Sequence, residues 1–127
     1  MEHTNDISKS AVALKGFFNI CKAWSVDDEQ SIILLGNVDV TLYNDWKQSP
    51  ATAQLSHEVL ERISYILGIF KGLQILLPNP TAADAWVNKL NSEVIFGGKS
   101  ALEKMLQGRL EDLATVRQYV DSFLGEE

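Results

Sequence analysis

The residues with the type and spacing to do chemistry are few, and each points first to structure. Cys21 is the only cysteine, which excludes an intrachain disulfide and a cysteine-rich zinc site. It sits in FFNICKAW among core-type residues, where a thiol packs as a small hydrophobe instead of ionising as a nucleophile. His3 and His57 have no ligand spacing to another His, Cys or carboxylate, so no metal site is expected. FGGKS, residues 96–100, offers the glycines and helix-start N–H groups that can cradle an anion. It lacks the preceding strand and the rest of a P-loop, so Gly97-Gly98 reads as a tight turn. The acidic runs Asp27-Asp28-Glu29 and Glu111-Asp112 stand at helix starts, where they complement the helix dipole. With no paired carboxylates in a cleft, no activated nucleophile and no cofactor motif, the expectation is a protein that is not an enzyme and uses no cofactor.

Surface recognition is the chemistry that remains. Thr41, Tyr43, Asn44, Lys47 and Gln48 lie on or beside the exposed face of a short helix and have the donors and acceptors to reach bases or backbone. Asp39 and Asp45 on the same helix would repel phosphate. From Ala11 to Gln48, Lys15, Lys22 and Lys47 stand against five acidic residues, a net charge of −2. Operator DNA is therefore a partner only if a homodimer or a second protein supplies further phosphate contacts. The whole chain carries −6, the opposite of a generic nucleic-acid coat and suited to a basic partner surface.

The elements that must position these residues are helical throughout. At 127 residues and 46% hydrophobic, the chain suits one compact domain, or two small subdomains sharing a core. Apolar residues recur at helical spacing and no segment alternates as a strand does, so the expected class is all-α. Residues 1–10 are polar and read as a disordered tail. A first helix follows from about Ala11 to Ala23. A second is expected to start at a Ser25/Asp28 capping pair and to stop at Gly36-Asn37, both tolerant of left-handed backbone. A third, Asp39 to Gln48, places Val38, Leu42 and Trp46 inward and completes helix-turn-helix geometry. SPATAQ, residues 49–54, is the linker.

Ser56 then caps a long helix to about Leu77, apolar around most of its circumference and thus central. Thr81 with Asp84 is expected to open a helix to about Leu90. Ser100 with Glu103 forms a capping box, and Arg109 to Phe123 is the last helix. The organisation expected is 11–54, 55–80 and 81–127. The most apolar stretch, 63–77, is interrupted by Ser64, Lys71 and Gln74 and falls short of the ~20 residues that span a bilayer. MEHTNDISKS has no basic and then apolar signal pattern, so a soluble cytoplasmic protein is expected, with no membrane contact.

In order and spacing, three anchors resemble the Xre/MbcA/ParS-type antitoxin family. The first is Trp24-Ser25, Leu34-Leu35-Gly36, Leu42-Tyr43 and Trp46-Lys47, similar to an Xre-like helix-turn-helix. The second is Leu55-Ser56 with Glu61-Arg62, similar to the family's linking helix. The third is Ala85-Trp86, Asn91, Phe96-Gly97-Gly98-Lys99-Ser100, Leu102, Met105-Leu106, Gly108 and Val116-Arg117, similar to its toxin-binding module. Leu90 and Ala101 depart from the pattern, which often has proline at both places. Ser100 and Glu103 already define the helix start that proline would preorganise.

The resemblance implies an N-terminal helix-turn-helix bundle joined by a long central helix to a small helical toxin-binding module. It implies an antitoxin of a type II pair that covers the active site of a RES-domain, NAD-consuming toxin, and that binds its own promoter. Lys99, Arg109, Arg117, Tyr119, Asp121, Glu126 and Glu127 are the candidate toxin contacts, with the acidic end suited to the donors of a pyrophosphate site. The alternative is a helix-turn-helix repressor whose C-terminal half only dimerises it.

Overall fold

A computed structural model describes residues 2–125, with side chains from Lys9 to Gly125. The described residues form an all-α fold, with one isolated antiparallel bridge between Leu90 and Ser100 in place of any strand. α1 spans Glu2–Ala23, α2 Asp28–Leu34, α3 Val40–Gln48, α4 His57–Leu76, α5 Pro80–Trp86, α6 Ala101–Met105 and α7 Leu110–Leu124. Single 3-10 turns at Pro50–Thr52 and Val94–Phe96 punctuate the connections.

α1 corrects the expected tail. The helix begins at Glu2, and Ser10 is buried with its Oγ accepting the Leu55 N–H at 3.1 Å. A polar composition predicts fraying only where nothing tertiary holds the backbone, and at Ser10 the segment before α4 does so.

The helix-turn-helix pair forms as expected, with two changes in detail. Ser25 does not cap α2; its φ of 59° is left-handed, whereas an N-cap needs extended backbone. Asp27 caps instead, accepting from Gln30 N at 2.8 Å while the Gln30 side chain returns to the Asp27 amide at 3.1 Å. Gly36 and Asn37, with φ of 102° and 58°, make the left-handed turn. α3 is rotated from the expected stripe: Tyr43 and Trp46 are buried, and Leu42 is exposed.

α4 is the central element, burying Ile63, Ile66, Ile69 and Leu73. Each such side chain contributes roughly 1.5–3 kcal/mol on removal from water. Two glycines one turn apart, Gly68 and Gly72, let α7 approach: a Cβ on Gly72 would lie 2.6 Å from Val120 Cγ1, and one on Gly68 would meet the Arg117 guanidinium. Near its start, buried Arg62 donates through Nε to Glu58 at 2.9 Å and through Nη1 to the Leu34 carbonyl at 3.4 Å. It thereby satisfies a carbonyl at the C-terminus of α2, where a cation is favoured. A Cβ on Gly36 would lie 3.0 Å from Arg62 Nε, so the turn glycine also leaves room for this side chain.

Candidate functional site

The C-terminal module is built on an aromatic cluster. Trp86 at the end of α5 stacks on Tyr119 of α7, with ring centroids 6.1 Å apart and planes 18° apart. Phe96 stands edge-on to both, at 6.0 Å and 5.1 Å, and Tyr119 meets Phe123 at 5.0 Å. These aromatic pairs bind more than their buried area alone accounts for. They fix the loop between α5 and α6 to the last helix.

That loop is closed by its own backbone. Asn91 N–H donates to Lys99 O at 3.1 Å, Leu102 N–H to Val87 O at 2.9 Å, and Lys99 N–H to Phe96 O at 2.9 Å. Gly97 and Gly98, with φ of 58° and 83°, occupy the two central positions of this last turn. Positive φ at both is the type I′ pattern, which glycine adopts without strain. The Asn91 side chain accepts from Glu93 N–H at 2.9 Å and turns the chain toward the tip. Leu90 and Val94 on the loop are 78% and 93% exposed, and Ile95 also faces solvent. Beside the aromatic cluster, Leu73, Leu76, Leu77, Trp86, Tyr119, Val120 and Phe123 line an apolar groove of about 220 Å³.

The charged residues expected to touch a partner are largely engaged within the chain. Asp112, its side chain 1% accessible, accepts from Arg109 Nε at 3.1 Å, Arg109 Nη2 at 2.9 Å and Lys104 Nζ at 3.1 Å. Arg109, then Lys104, hold its carboxyl below the usual carboxylate range against the effect of burial, and Asp112 raises the Arg109 guanidinium in turn. Arg117 and Asp121 pair at 2.9 Å. They lie one turn apart on α7, whereas Tyr119 points away from them into the aromatic cluster, so these residues do not share a surface. Lys99 is exposed and makes no ion pair among the described residues. Glu126 and Glu127 lie outside the described residues.

On the N-terminal half, Thr41, Asn44, Lys47 and Gln48 are exposed, while Tyr43 is 1% exposed and is corrected to a core residue. The Tyr43 hydroxyl donates to Asp28 Oδ1 at 2.8 Å, and Lys47 Nζ lies 2.7 Å from the same oxygen. Hydrogen bonds from Lys47 and then Tyr43 lower the Asp28 carboxyl, and burial followed by Asp28 raises the Tyr43 hydroxyl. The Asp39 carboxylate caps α3, accepting from Thr41 and Leu42 N–H. The one cation on α3, Lys47, is therefore already paired with a carboxylate of α2.

Cys21 is buried 3.4 Å from Ser31 Oγ, and burial pushes its thiol up to about 11, far from a nucleophilic thiolate at neutral pH. Among the described residues, no three His, Cys, Asp or Glu side chains gather as a metal ligand set. No described helix is long and apolar enough to cross a membrane. Sequence reasoning missed Val94 and Ile95, because residues on an irregular loop belong to no periodic stripe. It also missed the Gly68/Gly72 spacing, which is visible in the letters.

The fold and surface define an all-α protein with a helix-turn-helix-like half and an aromatic-braced loop module. It is 37% identical over 122 residues to the uncharacterized protein y4oB of Sinorhizobium fredii (strain NBRC 101917 / NGR234), a match covering 96% of this chain and 92% of that one. The chain belongs to the family of that protein. No family model matches the sequence, and no solved structure matches it.

Proposed function

We propose that this chain is the antitoxin of a type II toxin–antitoxin pair, a cytoplasmic protein without catalysis or cofactor of its own. Its C-terminal module covers the active site of a RES-domain, NAD-consuming toxin. The observation that carries this reading is the exposure of Leu90, Val94 and Ile95 on a loop held rigid by its backbone and by the Trp86–Phe96–Tyr119 cluster. A large apolar side chain held in water on a stiff loop fits an interface that binds with little ordering cost. The resemblance of residues 85–117 to a toxin-binding module supplies the kind of partner. Co-expression with the product of the adjacent gene tests it: a stable complex and relief of growth arrest are expected. Neither appearing would sink the reading.

The α2–turn–α3 pair favours a second reading, a repressor that binds operator DNA as a homodimer through Thr41, Asn44 and Gln48. The pairing of Lys47 with Asp28 weighs against it, because phosphate contacts need uncompensated cations. Gel shifts with the upstream promoter at two salt concentrations separate the two. Sequence-specific binding by the lone protein, unchanged by a toxin, favours the plain regulator.

A further inference from the structure

A cleft of about 280 Å³ opens between the Val94–Phe96 turn and α6, lined by Val94, Ile95, Gly97, Lys99, Lys104 and Gln107. Its charge is opposite to that of the chain as a whole, which carries −6. No carboxylate is among the residues that line it. The acid nearest in sequence to Lys104, Glu103, is turned to the amide of Ser100 at 3.0 Å. Lys104 reaches Asp112, a carboxylate that also holds the Arg109 guanidinium through two bonds. Lys99, which has no ion pair among the described residues, adds an exposed cation at the rim.

We propose that this cleft seats an acidic side chain of a protein partner, with the partner's neighbouring apolar surface resting on Val94 and Ile95. The proposal rests on the toxin-binding reading and specifies the chemistry of the surface that the antitoxin contacts. A nucleic acid fits less well. Phosphates offer nothing to the two exposed aliphatic side chains of the cleft, Val94 and Ile95. A carboxylate beside an apolar patch satisfies both halves of the cleft, and complementarity of this kind sets register and specificity.

The test is calorimetric titration of the full chain with the purified product of the adjacent gene, in low and in high salt. Lys99→Glu should weaken binding about ten-fold and Lys99→Gln by less, since the first adds repulsion and the second only removes attraction. Both should flatten the salt dependence. Lys71→Glu, on an exposed position of α4 that is not part of the cleft, should leave the affinity unchanged. Lys99 is exposed and unpaired among the described residues, so these variants keep the fold, which circular dichroism verifies. A wild-type complex that Lys99→Glu leaves within two-fold overturns this proposal and leaves the toxin-binding reading standing. Competition by millimolar inorganic phosphate that depends on Lys99 overturns it too, making the cleft an anion subsite. An absent wild-type complex overturns both.

Discussion

Asp112 shows how a single side chain decides which charges of this module stay free. Its carboxylate is buried, yet it stays ionised because Arg109 donates to both oxygens and Lys104 adds a third bond. A carboxyl held below its unfolded value of about 3.9 favours the fold at pH above that value. The contribution disappears as pH falls through the lower folded value. Asp112→Asn places a carboxamide against two cations, which breaks a buried pair at a cost commonly of roughly 3–5 kcal/mol. Arg109 is largely solvated and can return to water, so the expected loss is about 2 kcal/mol in urea unfolding at pH 7. The gap between variant and wild type should be smaller at about pH 3 than at pH 7, and should shrink further as pH falls through the lowered folded value. An equal gap at both pH values would mean that packing, and not the charge, carries the effect. The same residue explains why Arg109 was read from sequence as a partner contact. Arg109 is exposed, as that reading requires, but the three-residue spacing to a buried acid becomes visible only when the first turn of α7 is formed.

At the scale of elements, the contact of α4 with α7 depends on Gly68 and Gly72, and the two differ in what a methyl group would meet. At Gly72 the obstacle is Val120, itself buried and braced by the core. Overpacking there costs typically 1–3 kcal/mol, against a gain in helix propensity of about 1 kcal/mol for Gly→Ala. Gly72→Ala is thus expected to destabilise by about 1 kcal/mol. At Gly68 the obstacle is the end of the Arg117 side chain, which can swing aside. Its ion pair with Asp121 is a one-turn surface pair worth about 0.3–0.5 kcal/mol, so Gly68→Ala is expected to be neutral to slightly stabilising. Thermal melts of the two variants check the pair of signs. The central helix was legible in the sequence almost to the residue, because Ser56 and the prolines after Leu77 bracket a long apolar run. The Ser100–Glu103 box was equally legible, and both of its bonds form. The caps of α2 and α5 were not, since each site offered two candidates. Asn79 with Pro80 at the first helical position wins over Thr81, and Asp84 instead accepts from Gln74 of α4 at 2.9 Å. The exposed loop at 94–95 was illegible for a different reason. Its side chains matter because they lack a partner, and periodicity reports only residues that have one.

Across the whole molecule, the expected segments 11–54, 55–80 and 81–127 share one buried cluster that runs from Leu14 to Val120. Hydrogen bonds and close packing cross the boundaries. Asn88 donates to the Trp24 carbonyl at 2.9 Å, Arg62 reaches the Leu34 carbonyl, and a Cβ on Gly108 would touch Asn37 and Ile33 in the helix-turn-helix turn. The helix-turn-helix half and the loop module are therefore held in fixed register. Such interlocking predicts one cooperative unfolding transition, as small single domains usually show. Tryptophan emission, which reports Trp24, Trp46 and Trp86 on both halves, should melt at the same temperature as helical circular dichroism. Asp112→Asn, although confined to α7, should lower both signals together by about 6–10 °C, given roughly 3–5 °C per kcal/mol for a chain of this size. If the halves were independent, the variant would leave behind a fraction of the emission change at the wild-type temperature. Two separated transitions would show that the ties across α4 do not couple the halves and that the helix-turn-helix folds as a separate unit.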